Sequence, residues 1–421
     1  FTTRTDRIEE VDAPRLEHEV AALARPWLDH VRARVTDRFG EGDGGHRLRE
    51  VAARMPASYR DRTSVDRAVD DVGRLDALVR DDDPRAAWLA HDDDGAALLL
   101  AQRGAPLVLS DVMPVLESLG LRVDAEYPYA LQGDGPAVHL HEFRVSDRDG
   151  TGIPPEAPHL TELVLEALAG RFEVDGLARL AVTAGIGWRE VAIVRAYRRY
   201  RRQVGTSYSA EYANAALADH PVAVRAILEV FRLRFDPDAP RDDAAVARAH
   251  REAEEACDAI ARLDHDRIVR GVLELVDATL RTTAYVHDHV PDRGWTEDAD
   301  GRRVPVLAFK LDPSRVPDVP APVPHREVFV SSPAVEGVHL RGGEVARGGL
   351  RFSDRHDDLR TEILGLMKAQ VLKNALIVPT GAKGGFVCKR LPLERDAAKA
   401  DVQRQYVACI SALLDLTDDV R

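Results

Sequence analysis

Cysteine is nearly absent from this 421-residue chain: Cys257, Cys388 and Cys409 are the whole complement. Three scattered thiols exclude a disulfide framework and a CxxC metal site, so no metal is expected. Long apolar runs are missing too. Uncharged stretches such as AALLLA at 96–101 fall far short of the ~20 residues of a spanning helix. Phe1 opens no basic segment with an apolar stretch behind it. The chain therefore reads as cytoplasmic, with no membrane contact. A positive excess is also lacking. With 58 basic against 71 acidic residues, net −13, a general nucleic-acid binder is disfavoured, although a local basic pocket remains open.

Lysine is the scarcest charged residue. All six lysines (Lys310, Lys368, Lys373, Lys383, Lys389 and Lys399) follow residue 309, and the other 52 basic residues are arginines. Guanidinium keeps its charge, whereas a buried ammonium shifts its pKa readily. Lysine retained in such a chain marks a place where a compact amine must lose or share a proton. Four of the six fall between 368 and 389. The competing reading is a lysine-tolerant surface stretch.

Length and an apolar share of 45% suit about three domains. Residues 1–80 carry helical periodicity, with Val20, Leu23, Trp27, Leu28, Val31 and Val35 spaced among charges. Within them GEGDGG at 40–45 matches G-x-G-x-x-G. It follows a helix rather than a strand, and Glu41 and Asp43 repel a pyrophosphate, so it reads as a helix-to-helix loop. Residues 81–155 resemble an ACT-like βαββ module. Strands at 86–90 and 96–102 form a hairpin around an acidic turn, followed by a helix at 109–119 and strands at 122–130 and 137–145. His139 and His141 share a strand face, but without a third ligand at metal spacing they read as a structural pair.

Residues 156–300 read as a helical domain. There the stretch 195–202 interleaves Tyr197 and Tyr200 with arginines. Single-stranded nucleic acid suits such a pattern. The preferred reading is an amphipathic helix that packs its tyrosines and pairs its arginines within an acidic chain. His265, His287 and His289 stand among aspartates and read as surface. The proline-rich stretch 313–324 reads as a linker.

The chemistry concentrates in residues 301–421. Strands are expected at 327–330, 337–340 and 350–352, and a helix at 357–374, buried through Leu359, Ile363, Leu366, Met367 and Leu372 and opened by Asp357 and Asp358. A strand at 375–378 then leads into the glycine turn PTGAKGG, which holds Lys383 between apolar walls. Glycines admit a closely approaching ligand, and apolar walls favour the neutral amine of a general acid/base. Between 347 and 390 nine basic residues face four acidic ones, so an anionic ligand is expected. TGAKGG lacks the spacing of a phosphate-binding P-loop, which favours a carboxylate.

These residues carry a resemblance. ARGGLRF at 346–352, the helix with Lys368 and Lys373, and PTGAKGG at 379–385 are similar to the substrate-binding core of glutamate dehydrogenases, where KGGIR, a helix ending in lysine and PxGGAKGG recur in that order. VEGVHLRGGEVARGGLRFSDR at 335–355 resembles the large bacterial NAD-dependent glutamate dehydrogenases, whose catalytic region follows ACT-like and helical segments.

The resemblance implies a mixed α+β and α/β chain: a helical segment (1–80), an ACT-like module (81–155), a helical domain (156–300) and the truncated, substrate-binding part of the catalytic domain (301–421). It implies that Lys383 is catalytic, polarising the substrate and activating water for imine hydrolysis. Lys373 binds one substrate carboxylate, and Arg347, with Gly348 and Gly349, holds the other. The interval from Lys373 to Lys383 is shorter than in the family and one glycine fewer is present, which leaves Lys368 as a rival to Lys373. Lys368 and Lys389 otherwise read as solvated or ion-paired, and Arg351 as a support for the bend. The implied reaction is oxidative deamination of L-glutamate to 2-oxoglutarate and ammonia, by a homo-oligomer with an amino-acid effector at the ACT-like module. No dinucleotide fingerprint follows residue 385 and the family's catalytic aspartate has no match, so NAD is expected on a domain outside the chain, which alone should be inactive. The alternative is a non-catalytic regulatory or assembly module that binds amino acids or carboxylate metabolites.

Overall fold

The computed structural model describes residues 26–93, 95–148, 152–154, 157–373 and 380–417, the side chains of 371–373 and 380 excepted. They form two compact units, one from residues up to Leu109 with Val123–Ser146, the other from Ser110–Arg122 with Asp147 onward.

In the first unit, amphipathic spacing turns one stripe of each helix inward. α1 (Trp27–Phe39) buries Val31 and Val35, α2 (Asp43–Arg54) buries Leu48 and Val51, and α3 (Val65–Arg80) buries Val69, Val72 and Leu75. The Ser64 side chain caps α3 by accepting from the Arg67 backbone N–H. Strands β1 (Arg85–Asp92), β2 (Gly95–Arg103), β3 (Leu121–Ala130) and β4 (Val138–Asp147) form a sheet of order β1-β2-β4-β3. Helix α4 (Leu109–Ser118), which from Ser110 onward belongs to the second unit, connects β2 to β3 in sequence. The bounds of α4 and of β1–β4 lie within two residues of the expected ones. Helices and sheet share one core, including Val35, Leu75, Trp88, Leu99 and Leu140. The GEGDGG stretch joins α1 to α2. His141 Nδ1 lies 2.7 Å from Glu126 Oε1, which satisfies the ring nitrogen within the sheet.

The second unit holds a helical layer and the larger sheet. From residue 157 to 278 its longer helices are α5 (Pro158–Leu168), α6 (Trp188–Val204), α7 (Ala210–Ala218), α8 (Pro221–Phe235), α9 (Asp243–Asp258) and α10 (Leu263–Ala278). Next come β5 (Thr279–Thr282) and a two-stranded ribbon of β6 (Trp295–Glu297) and β7 (Arg303–Pro305). β8 (Leu307–Leu311), β9 (Arg326–Ser331), β10 (Val335–Arg341), β11 (Ala346–Arg347) and β12 (Leu350–Phe352) lead to α11 (Leu359–Lys373), β13 (Thr380–Cys388) and α12 (Arg395–Asp415). The sheet order is β11-β13-β10-β9-β8-β5, with β12 also bonded to β13.

Strand alternation sends neighbouring residues to opposite faces. On one face α6 stacks Tyr197 on Phe309 with centroids 4.4 Å apart and sets Tyr200 against Phe329. On the other, Ala408, Cys409 and Ala412 of α12 pack with Val330, Val335 and Phe386. All three cysteines are buried and free.

The helix with interleaved tyrosines and arginines is thus a packing element. Tyr197 and Tyr200 are buried, Arg195 makes two 2.9 Å bonds to Asp175, and Arg199 bonds Glu173 at 2.8 Å. Two expectations are corrected. The stretch 313–324 connects the adjacent antiparallel strands β8 and β9 instead of linking domains. Nor is His265 a surface residue: it is buried, with Nδ1 3.1 Å from His220 Nε2, and His287 is half-buried against Trp295.

Candidate active site

The two glycine-rich motifs, more than thirty residues apart in sequence, are neighbouring strands. β11 and β12 both run parallel to β13, with Arg347 opposite Gly381 and Leu350 opposite Gly384. Between them Gly348 lies so close to β13 that an added Cβ would sit 1.5 Å from the Ala382 carbonyl oxygen. Only glycine fits there. The Gly349 carbonyl accepts from the Gly384 N–H at 3.0 Å.

Lys383 is not in a turn. It lies inside the continuous strand β13, opposite Leu340 of β10. The expected strand at 375–378 lies outside the described residues. The glycines of TGAKGG serve close packing instead of a bend. A Cβ on Gly381 would meet Gln370 at 3.0 Å, one on Gly385 would meet Ile363 at 2.5 Å, and one on Gly384 would meet Leu350 at 2.6 Å. Residues 381, 383 and 385 share the face that α11 covers. Lys383 therefore projects from the strand between the two points where α11 presses on it, and it is half-buried.

Parallel neighbours in register share a face, so Arg347 belongs to the same side as Lys383. The Gln370 amide donates to the Arg347 carbonyl at 3.3 Å and ties β11 to α11. Lys368 is exposed. Lys373 is the last residue of α11, and its side chain lies outside the described residues. The start of α11 is locked to the sheet: Arg360 makes 2.7 and 2.9 Å bonds to both carboxylate oxygens of Glu327, and Glu362 accepts from Ser353 Oγ at 2.6 Å and pairs with Arg351 at 3.1 Å.

These contacts sort the basic cluster. Arg351, Arg355 and Arg360 are neutralised by Glu362, Asp358 and Glu327, and Lys389 by Glu173. Lys389 is thus ion-paired, one of the two states expected for it, and Arg351 ties β12 to Glu362 of α11. Lys383 and Arg347, by contrast, have no carboxylate partner among the described residues, and they stand on adjacent strands with register partners two positions apart. A half-buried amine and a guanidinium left uncompensated on one sheet face suit an anion with separated charges.

Nothing in the sequence singles out His339. It sits on β10 opposite Gly384, on the face away from Lys383. Burial and the charge of Arg341 push its pKa down to about 4, so it is neutral at pH 7. The buried Glu336 carboxyl, raised by burial against the pull of Arg199, accepts from the Gln203 amide at 2.9 Å. The same Gln203 amide donates to the His356 carbonyl, and its oxygen accepts from the Arg360 N–H. This relay fixes the start of α11 to α6. No signal in the sequence links these residues, which lie more than 130 positions apart. Among the described residues no group of three or more metal-ligating side chains occurs.

Residues 252–421 match the family described as bacterial NAD-glutamate dehydrogenase, catalytic domain. Residues 34–78, 86–157 and 172–237 match helical motif 2, the ACT3 domain and helical motif 3 of glutamate dehydrogenase. The chain belongs to the bacterial NAD-glutamate dehydrogenase family. It is 41% identical over 98% of its length to an NAD-specific glutamate dehydrogenase of Halomonas elongata, 38% over 100% to that of Pseudomonas aeruginosa, and 38% over 98% to that of Mycobacterium tuberculosis. It spans about a quarter of the length of each of these relatives. The ACT3 match covers the β1–β4 sheet and the catalytic-domain match covers β5–β13 of the larger sheet, as the mixed fold class expected.

Proposed function

We propose that this chain is the part of an NAD-dependent glutamate dehydrogenase that receives L-glutamate, or 2-oxoglutarate in the reverse direction, against the face of β13 beneath α11. The observation that carries this reading is the placement of Arg347 and Lys383, without carboxylate partners among the described residues, on one face of the sheet, in a basic cluster where Arg351, Arg355, Arg360 and Lys389 are neutralised. In it the Arg347 guanidinium takes a substrate carboxylate through a bidentate pair, and Lys373, at the end of α11, takes the other. Gly348 lets β11 approach β13 closely enough to set that spacing, and the Gly349 carbonyl holds the register by accepting from the Gly384 N–H.

Lys383 polarises the oxygen of 2-oxoglutarate or of the carbinolamine and holds the proton of the water that attacks the imine carbon. Oxidation of the amine to the imine removes a hydride from Cα and a proton from nitrogen, and NAD, held outside the described residues, would supply the hydride acceptor. The one G-x-G-x-x-G stretch, at 40–45, joins two helices, so the described residues do not fit the dinucleotide and no further step is assigned to it. An amino-acid effector at the β1–β4 module, homo-oligomeric assembly and a cytoplasmic location belong to the same reading.

The test is NADH formation from L-glutamate by the complete protein. Lys383→Met should lower turnover by at least about 100-fold, within the range of lost general acid/base catalysis, with an unchanged circular dichroism spectrum. Turnover within a few-fold of the parent would remove Lys383 from this role and return the basic face to non-catalytic carboxylate binding.

A further inference from the structure

A cleft of about 580 Å³ opens between the end of α6, the following loop and α10, away from Arg347 and Lys383. Its volume is that of a small-metabolite site. Arg198, Arg201 and Arg202, at helical spacing on α6, and Arg267 and Arg270 on α10 line it, together with the consecutive hydroxyls Thr206 to Ser209.

The arginines are unequally satisfied. Arg270 is held by Asp258 and Asp266, both at 2.8 Å. Arg201 donates to the Pro317 carbonyl at 3.0 Å and Arg202 to Asp357 at 3.0 Å. Arg198 is only 9% exposed, yet its one ion pair, with Asp175, is a long 3.5 Å, and its Nε has no hydrogen-bond partner among the described residues. Burial pushes its pKa down to about 10. Arg267 is exposed and has no carboxylate partner among the described residues.

The acids lining the cleft do not cancel this charge. Asp266 belongs to Arg270, and Asp318 stands 3.8 Å from Arg201 with its side chain 87% exposed. Burial raises the pKa of the Glu274 carboxyl against the pull of Arg201 and Arg270. A buried guanidinium with an unbonded N–H is costly unless a ligand completes it.

We infer that this cleft binds a small phosphate-bearing metabolite, its terminal phosphate taken by Arg198 and Arg267 and by the hydroxyls at 206–209. A phosphate presents three strong acceptor oxygens and close to two charges at pH 7. That demand matches guanidinium forks combined with hydroxyl donors. The inference goes beyond the glutamate dehydrogenase reading and does not depend on it.

The experiment uses pyrophosphate as the probe, titrated calorimetrically into the full chain at constant ionic strength. Saturable binding is expected, at least about tenfold weaker in Arg198→Gln and in Arg267→Gln, the loss expected for one charge-assisted contact. It should be unchanged in Arg225→Gln, an exposed arginine of α8 outside the cleft. Because Arg198 also touches Asp175, the exposed Arg267→Gln decides the matter if Arg198→Gln fails to fold. Absence of saturable binding, equal weakening by Arg225→Gln, or binding of glutarate with the same arginine dependence but none of pyrophosphate would each overturn it.

Discussion

Glu327 of β9 and Arg360 of α11 form a two-bond ion pair in which the side chains are 0% and 1% exposed. Burial pushes the Glu327 carboxyl up, against the pull of the adjacent Arg360 guanidinium. The hydroxyl of Tyr200 is held well above its ordinary pKa by burial and by the charge of Glu327. The pair pins the first turn of α11 to the sheet and so sets where the helix crosses β13. Breaking one side of such a pair strands a buried charge and costs about 3–5 kcal/mol. Arg360→Met should therefore lower the free energy of urea unfolding by that amount. The double variant Arg360→Met, Glu327→Leu should recover most of it. A single variant as stable as the parent would mean that the pair is dispensable.

The two glycines of the ARGG motif should respond in opposite ways. Gly348→Ala drives a Cβ into the Ala382 carbonyl, backbone that cannot rotate away, so β11 must separate from β13 at a cost of about 1–3 kcal/mol. Gly349 has nothing within 4 Å of an added Cβ, so Gly349→Ala should change stability by less than about 0.5 kcal/mol. Thermal unfolding of both variants checks the contrast. Equal effects would show that register at Ala382 does not limit this position.

Sequence patterning located most elements but misread the central one. Leu350–Phe352 was expected to the residue, and α11 to within two residues, because alternation and the apolar stripe of a helix are local signals. The run PTGAKGG reads locally as a turn, yet the chain is a continuous strand from Thr380 through Gly385. Its glycines answer to Gln370, Ile363 and Leu350, pressing from α11 and β12, and tertiary pressure leaves no local trace. The sorting of the basic residues was equally hidden. Lys389 finds its carboxylate at Glu173, 216 positions away, and Arg360 finds its own at Glu327, 33 positions away. Between residues 347 and 390 the sequence shows a local excess of positive charge; only the fold shows which cations have a carboxylate beside them.

His339 predicts an acid-side loss of stability. Its folded pKa is about 4, against about 6.5 in an unfolded chain. Between these values the unfolded state binds more protons, so stability rises with pH across the window. The contribution is fully present above about pH 6.5 and falls away as the pH drops towards 4, by up to about 3 kcal/mol for a shift of this size. The stability difference between the parent and His339→Gln should therefore change with pH between 4 and 6.5 and level off above. A difference that stays constant over this interval would show that His339 titrates normally.

The choice between Lys368 and Lys373 follows from where α11 meets the sheet. Gln370 faces Gly381, and Met367 and Ile363 are buried beneath the helix. Lys368 stands two positions from Gln370, about 200° around a helix of 3.6 residues per turn, and it is exposed. A carboxylate held beside Lys383 is thus out of its reach. Lys368→Ala in the complete protein should leave the glutamate dependence of NADH formation within about twofold of the parent. Lys373→Ala should raise the half-saturating glutamate concentration by at least about tenfold, as should Arg347→Ala, because each removes one charge-assisted contact to a carboxylate. Turnover at saturating glutamate should fall less in these variants than in Lys383→Met, since binding groups act on substrate capture while the amine acts on the chemical step. If Lys368→Ala instead carried the tenfold effect and Lys373→Ala none, α11 would have to rotate by roughly half a turn when substrate binds, and the packing of Gln370 on Gly381 could not persist in the working enzyme.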